Sequence, residues 1–99
     1  MLQINYTQGI YEIKGQLSAQ NSKSLKRHFE NVLTLNSELV ISLDQIQKID
    51  VTGINTILSL YKKALHNNKI VYIIGKTNKK ISAKIAESKL KYIVKNDFI

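Results

Sequence analysis

A chain of 99 residues has room for one hydrophobic core and not for two, and folding at that length buries roughly two thirds of the surface the unfolded chain exposes. With 43% hydrophobic and 22% charged residues the composition is that of an ordinary globular domain and excludes a disordered tail. Cysteine is absent, which rules out a disulfide framework or thiolate metal site, and His28 and His66 lie far apart, so neither metal nor cofactor is expected.

The formal net charge of +8 is unevenly placed. Residues 1 to 50 are neutral, because Lys14, Lys23, Lys26, Arg27 and Lys48 are matched by Glu12, Glu30, Glu38, Asp44 and Asp50. The second half carries the whole excess, ten lysines against Glu87 and Asp97. Met1 to Ile10 contains no basic stretch leading into an apolar run, and no segment approaches about 18 apolar residues. A soluble, cytoplasmic chain without membrane insertion is the expectation.

Taken in order, Leu2, Ile4 and Tyr6 alternate with polar neighbours, Thr7-Gln8-Gly9 makes a turn, and Ile10 to Ile13 resumes an extended pattern, which predicts a hairpin. Leu25, Phe29, Val32 and Leu33 recur at helical spacing after Asn21 or Ser22, either of which can cap the first turn. Leu39 to Leu43 is a short apolar run rich in β-branched residues, as expected of a strand covered on both faces, and Ile70 to Ile74, stopped by Gly75, is a second. Between them Ile54, Ile57, Leu58, Tyr61 and Leu65 line one face of a helix from about Thr52 to His66. Strand, helix, strand implies a parallel crossover. A third helix, capped by Thr77 or Asn78, turns Ile81 and Ile85 inward, and Tyr92 to Val94 returns as a short strand or a docked tail. The fold class is therefore α/β, one domain over residues 1–99, without repeats or linkers.

The distinctive segment runs from Leu43 to Ile54. Asp50 to Gly53 leads from a short excursion after the strand into an amphipathic helix whose first amides lack helical partners, and that terminus favours an anion or a phosphoryl group. Thr52 can cap the helix through its hydroxyl. Gly53 either admits a partner's backbone or relieves crowding at the turn, and Asp50 either recognises a partner or stabilises the dipole.

The order hairpin, helix, strand, helix, strand, helix, together with ISLDQIQKIDVTGINTIL, resembles a STAS domain of the anti-sigma factor antagonist kind, over Leu2 to Leu90. The matching residues are Leu43-Asp44, Ile46, Ile49 and Asp50-Val51-Thr52-Gly53, and earlier Gly15, Leu17 and Asn21 in KGQLSAQNSKSLKRHFENVL. The resemblance implies a mixed sheet of four to five strands with three packed helices. It implies a bacterial signalling protein without enzymatic activity, which binds a protein partner through Ser18, Asp50, Val51, Thr52, Gly53 and Asn55. An anti-sigma-type kinase or another signalling protein is the expected partner; the alternative is the ATPase of a membrane lipid-transport complex. Two positions depart from the family. Val51 occupies the place of the acceptor hydroxyl that a kinase phosphorylates, and Ser18 that of an acidic or amide residue. Thr52, one residue on, is the remaining candidate for phosphorylation.

Other readings are plainer. His28 and His66 are expected at the solvated surface, and Phe29 and Tyr61 in the core. Lys76, Lys79, Lys80 and Lys84 cluster before the third helix, yet no nucleic-acid motif accompanies them and Arg27 is the single arginine, which argues against base reading. No triad, paired-acid site or phosphate-cradling loop can be assembled, so no catalysis is expected.

Overall fold

The computed structural model describes residues 2–95; Met1 and residues 96–99 of the expected domain, Asp97 among them, lie outside the described residues. The amino-terminal alternation forms a hairpin of β1 (Leu2–Thr7) and β2 (Ile10–Leu17), antiparallel, with Tyr6 opposite Tyr11. Its two-residue turn holds Gln8 and Gly9 both at positive φ, 53° and 84°. That backbone matches the twist of the flanking strands, and glycine adopts it without steric cost.

From β2 the chain alternates helix and strand. Helix α1 (Ser22–Leu35), strand β3 (Glu38–Ile49), helix α2 (Val51–His66), strand β4 (Ile70–Ile74), helix α3 (Ser82–Ala86) and a 3-10 turn at Lys89–Tyr92 lead to a two-residue strand, β5 (Val94–Lys95). The sheet runs in sequence order, β1 to β5, with every pair after the hairpin parallel. The expected mixed α/β architecture is thus present, and the carboxyl-terminal segment joins it as a strand at Val94, although Tyr92 of the expected strand lies in the 3-10 turn and is exposed.

One face of the sheet carries the core. Ile13, Leu17, Leu39, Ile41, Leu43, Val71, Ile73 and Val94 pack against Leu25, Phe29 and Leu33 of α1 and Ile54, Ile57 and Leu60 of α2. Val40 and Ser42 point to the opposite face, which they share with their register partners Ile10, Glu12, Tyr72 and Ile74. The run Leu39 to Leu43 is buried throughout, but its two faces differ: the core cluster takes alternate residues and leaves Val40 and Ser42 out.

Three expectations need correction. Strand β3 does not end at Leu43 but continues to Ile49, still paired with β2, because two register shifts each insert one extra residue on the β3 side. The shifts turn the core-facing period from two to three, which is why Leu43, Ile46 and Ile49 are all buried while the residues between them are exposed. The buried stripe of α2 runs through Ile54, Ile57, Leu60 and Ala64, so Tyr61 is only half-buried and Leu65 is 54% exposed. Finally, α3 starts at Ser82, with neither Thr77 nor Asn78 as its cap. Asn78 acts elsewhere: its amide donates to the carbonyls of Leu43 and Ile46, each at 2.9 Å, beside the first bulge.

Candidate functional site

The residues singled out in the sequence meet at the carboxyl ends of β2 and β3. In parallel α/β sheets this edge gathers loops and helix starts, and here Leu17 and Ile49 are register partners, so the turns that follow them are neighbours.

Asp50 fastens these turns together. One carboxylate oxygen accepts from the Gly53 amide at 2.8 Å and caps α2; the other accepts from the Ala19 amide at 3.1 Å, across 31 residues of sequence. Its own amide donates to the Leu17 carbonyl at 3.2 Å. The helix therefore begins at Val51, and the expectation that Thr52 caps it is wrong. A carboxylate one residue before the helix reaches the third amide, where N-caps bond, while Thr52 already lies within the first turn. Thr52 is exposed, and its carbonyl accepts from the Thr56 hydroxyl at 2.9 Å.

Gly53 is buried and faces its own chain. A Cβ there would stand 2.7 Å from the Leu17 carbonyl oxygen and 2.9 Å from both Leu17 Cγ and Ile49 Cγ1. Of its two expected roles it fills the second: it lets α2 start against the end of β2. Ser18 is half-buried and contributes main chain, its amide donating to Asn21 Oδ1 at 3.0 Å and its carbonyl accepting from the Ser22 hydroxyl at 2.6 Å. The Asn21 amide group donates in turn to the Gln16 carbonyl at 2.8 Å. Asn21 sits at the cap position of α1 as expected, but its side chain binds the preceding loop rather than the helix amides.

The candidates thus sort into a frame and a face. Asp50, Gly53 and the Ser18 main chain form the frame; Val51, 65% exposed, with Thr52 and Asn55, forms the face it presents. Sequence reading missed the amide of Ala19 and the loop-closing role of Asn21, and only the spacing of Asn21 from Gly15 and Leu17 hinted at either. It also missed the lysines that converge here. Lys48, Lys80 and Lys84 line an open cleft of about 260 Å³ beside Ser18 and Asp50, and Lys84 also borders a groove of about 460 Å³ along Val51, Asn55 and Leu58. His28 and His66 are exposed, and Phe29 is fully buried. Among the described residues no three His, Cys, Asp or Glu side chains gather as a metal site requires, and no helix is long and apolar enough to cross a membrane.

A sheet with a leading hairpin, helices on its core face and an aspartate-capped helix start at the carboxyl edge defines a small mixed α/β domain. The chain belongs to the STAS domain family, which it matches over residues 1–96. No curated protein matches it by sequence. Among solved structures it is similar in fold to the Bacillus cell fate determinant SpoIIAA in the phosphorylated form, at a TM-score of 0.68 and 10% identity, covering 99% of this chain and 92% of that one. An anti-sigma factor antagonist from Mycobacterium paratuberculosis gives a TM-score of 0.69 at 14% identity over 99% and 86% of the two chains. The STAS domain of a SulP transporter from Vibrio cholerae gives 0.57 at 20% identity over 91% and 75%.

Proposed function

We propose that the chain is a non-enzymatic regulatory module of the bacterial cytoplasm that docks on a protein partner through Val51, Thr52 and Asn55, held in place by Asp50, Gly53 and Ser18. The observation that carries this reading is Val51 itself. A branched apolar side chain stands 65% exposed at the first residue of α2, on a turn fastened by the three hydrogen bonds of Asp50. Such a rigid, desolvatable contact is what an interface uses as an anchor.

The partner is an anti-sigma-type kinase or a signalling protein of that kind, in keeping with the fold shared with anti-sigma factor antagonists. Valine has no hydroxyl to accept a phosphoryl group, so docking at this position is constitutive rather than switched. An affinity pull-down of the whole chain from its native cell, repeated with Val51→Asp, tests this. A kinase or sigma regulator retained by the natural sequence and lost with the variant supports it. Retention of transporter subunits instead would assign the module to a transport ATPase, and retention unaffected by Val51→Asp would remove the loop from the interface.

A further inference from the structure

If the Asp50–Gly53 loop is the docking point, as proposed, the charges around it decide what can dock. The fold draws together lysines that are far apart in sequence: Lys48 from the end of β3, Lys62 from α2, Lys80 and Lys84 from the segment leading into and through α3, and Lys89 from the 3-10 turn. All five are exposed. None is in an ion pair among the described residues, where the salt bridge is Lys63 to Glu30. Their acidic counterparts are few. They are Asp50 in the smaller cleft, whose carboxylate oxygens accept from the amides of Gly53 and Ala19, and Glu87 in the larger, two carboxylates against five lysines. The two clefts meet at Lys84, and Val51 lines the larger. The Lys80 ammonium donates to the neutral Gln47 Oε1, which leaves its charge uncompensated. An apolar anchor in a field of ammonium groups without ion-pair partners is complementary to an apolar residue flanked by carboxylates.

We infer that this face selects an acidic protein segment, which sets an apolar side chain against Val51 and ranges its Asp and Glu residues over Lys62, Lys84 and Lys89. Nucleic acid would exploit the same charge but would find little else to hold. No aromatic ring lines either cleft for bases to stack on, and the single arginine, Arg27, lies on α1. Like-signed charge arrayed around an apolar centre gives a protein interface both its encounter rate and its power to reject wrong partners. A basic partner is excluded by repulsion from this face, even if its surface fits Val51.

The test places a photo-crosslinking amino acid at position 55 of the full chain in its native cell and sequences the captured peptide by mass spectrometry. The same label in a Lys62→Glu, Lys84→Glu, Lys89→Glu chain measures the charge dependence. The expected result is a protein segment of net negative charge, whose yield falls about tenfold in the reversed chain. The triple Lys→Gln chain, which removes charge without inverting it, should lose yield in the same direction. Since the three side chains are exposed and relieving like charge does not destabilise the fold, neither variant should melt below the natural chain. A neutral or basic captured segment would overturn the acidic partner and leave loop docking standing. Crosslinks to nucleic acid or lipid would overturn it as well. Absence of adducts at 55, when the same label at Asn31 on α1 captures a protein, would overturn loop docking and with it the acidic partner.

Discussion

At the scale of single residues, one carboxylate does the joining. The Asp50 side chain accepts from two main-chain amides, one in the first turn of α2 and one in the loop after β2, and bonds to a charged acceptor each contribute about 1.5–3 kcal/mol. Asp50→Ala should therefore lower unfolding free energy by about 2–4 kcal/mol, read from urea denaturation, whereas Val51→Asp, at an exposed position, should change it by less than about 0.5 kcal/mol. The pair separates frame from face: if Asp50→Ala proved neutral, the fastening role would be wrong. Gly53→Ala belongs with the frame. Its methyl group would meet the Leu17 carbonyl at 2.7 Å, and main chain cannot yield as a side-chain tip can, so a loss of about 1–3 kcal/mol is expected from the same measurement. Thr52 is a separate matter. Because it does not cap the helix, its hydroxyl is not committed to the backbone amides, and the intact mass of protein from native cells decides whether it is modified. The unphosphorylated mass is expected; stoichiometric phosphothreonine at Thr52 would show that the family's switch has moved by one residue.

At the scale of elements, the hairpin and both long helices were legible because each carries a period of two or 3.6, and β4 because it is a continuous apolar run stopped by Gly75. Strand β3 was legible only to Leu43. Beyond it the two inserted residues space the core contacts three apart, at Leu43, Ile46 and Ile49, a pattern that belongs to neither strand nor helix. The bulge is also where the sheet calls on another element: the Asn78 amide bonds the Leu43 and Ile46 carbonyls from the loop after β4. Nothing in the local sequence tells this asparagine from a helix cap. Similarly, the α2 stripe turned toward Leu60 and Ala64, since the helix packs on α1 as well as on the sheet and a small side chain permits the close approach. That leaves Leu65 outside. Asn78→Ala should strip the partner from two carbonyls at once and cost about 1–3 kcal/mol, with amide exchange accelerating first around residues 43–49. Uniform acceleration across the sheet would mean that Asn78 does not secure the bulge.

At the scale of the whole molecule, the charge segregation seen in the sequence becomes a surface. The net charge of +8 on 99 residues stands beside a single salt bridge among the described residues, Lys63 to Glu30 at 2.8 Å. Exposed pairs of this kind contribute at most about 1 kcal/mol, so the lysines are on balance repelling one another. Like charges that repel in the compact state move apart in the unfolded chain, and added salt screens them over a Debye length of about 10 Å at 0.1 M, falling to about 3 Å at 1 M. Stability should therefore rise with ionic strength. The urea midpoint, measured with sodium chloride stepped from low concentration to several tenths molar, should climb and then level off as screening saturates. A chain held together by surface ion pairs would behave in the opposite way, and a midpoint that fell with salt would show that attraction among the exposed charges outweighs their repulsion. The Lys62→Glu, Lys84→Glu, Lys89→Glu chain sharpens the comparison. Reversing three of the unpaired charges lowers the net charge from +8 to +2, by six units, so its salt dependence should be flatter than that of the natural chain while its midpoint at low salt is the higher of the two.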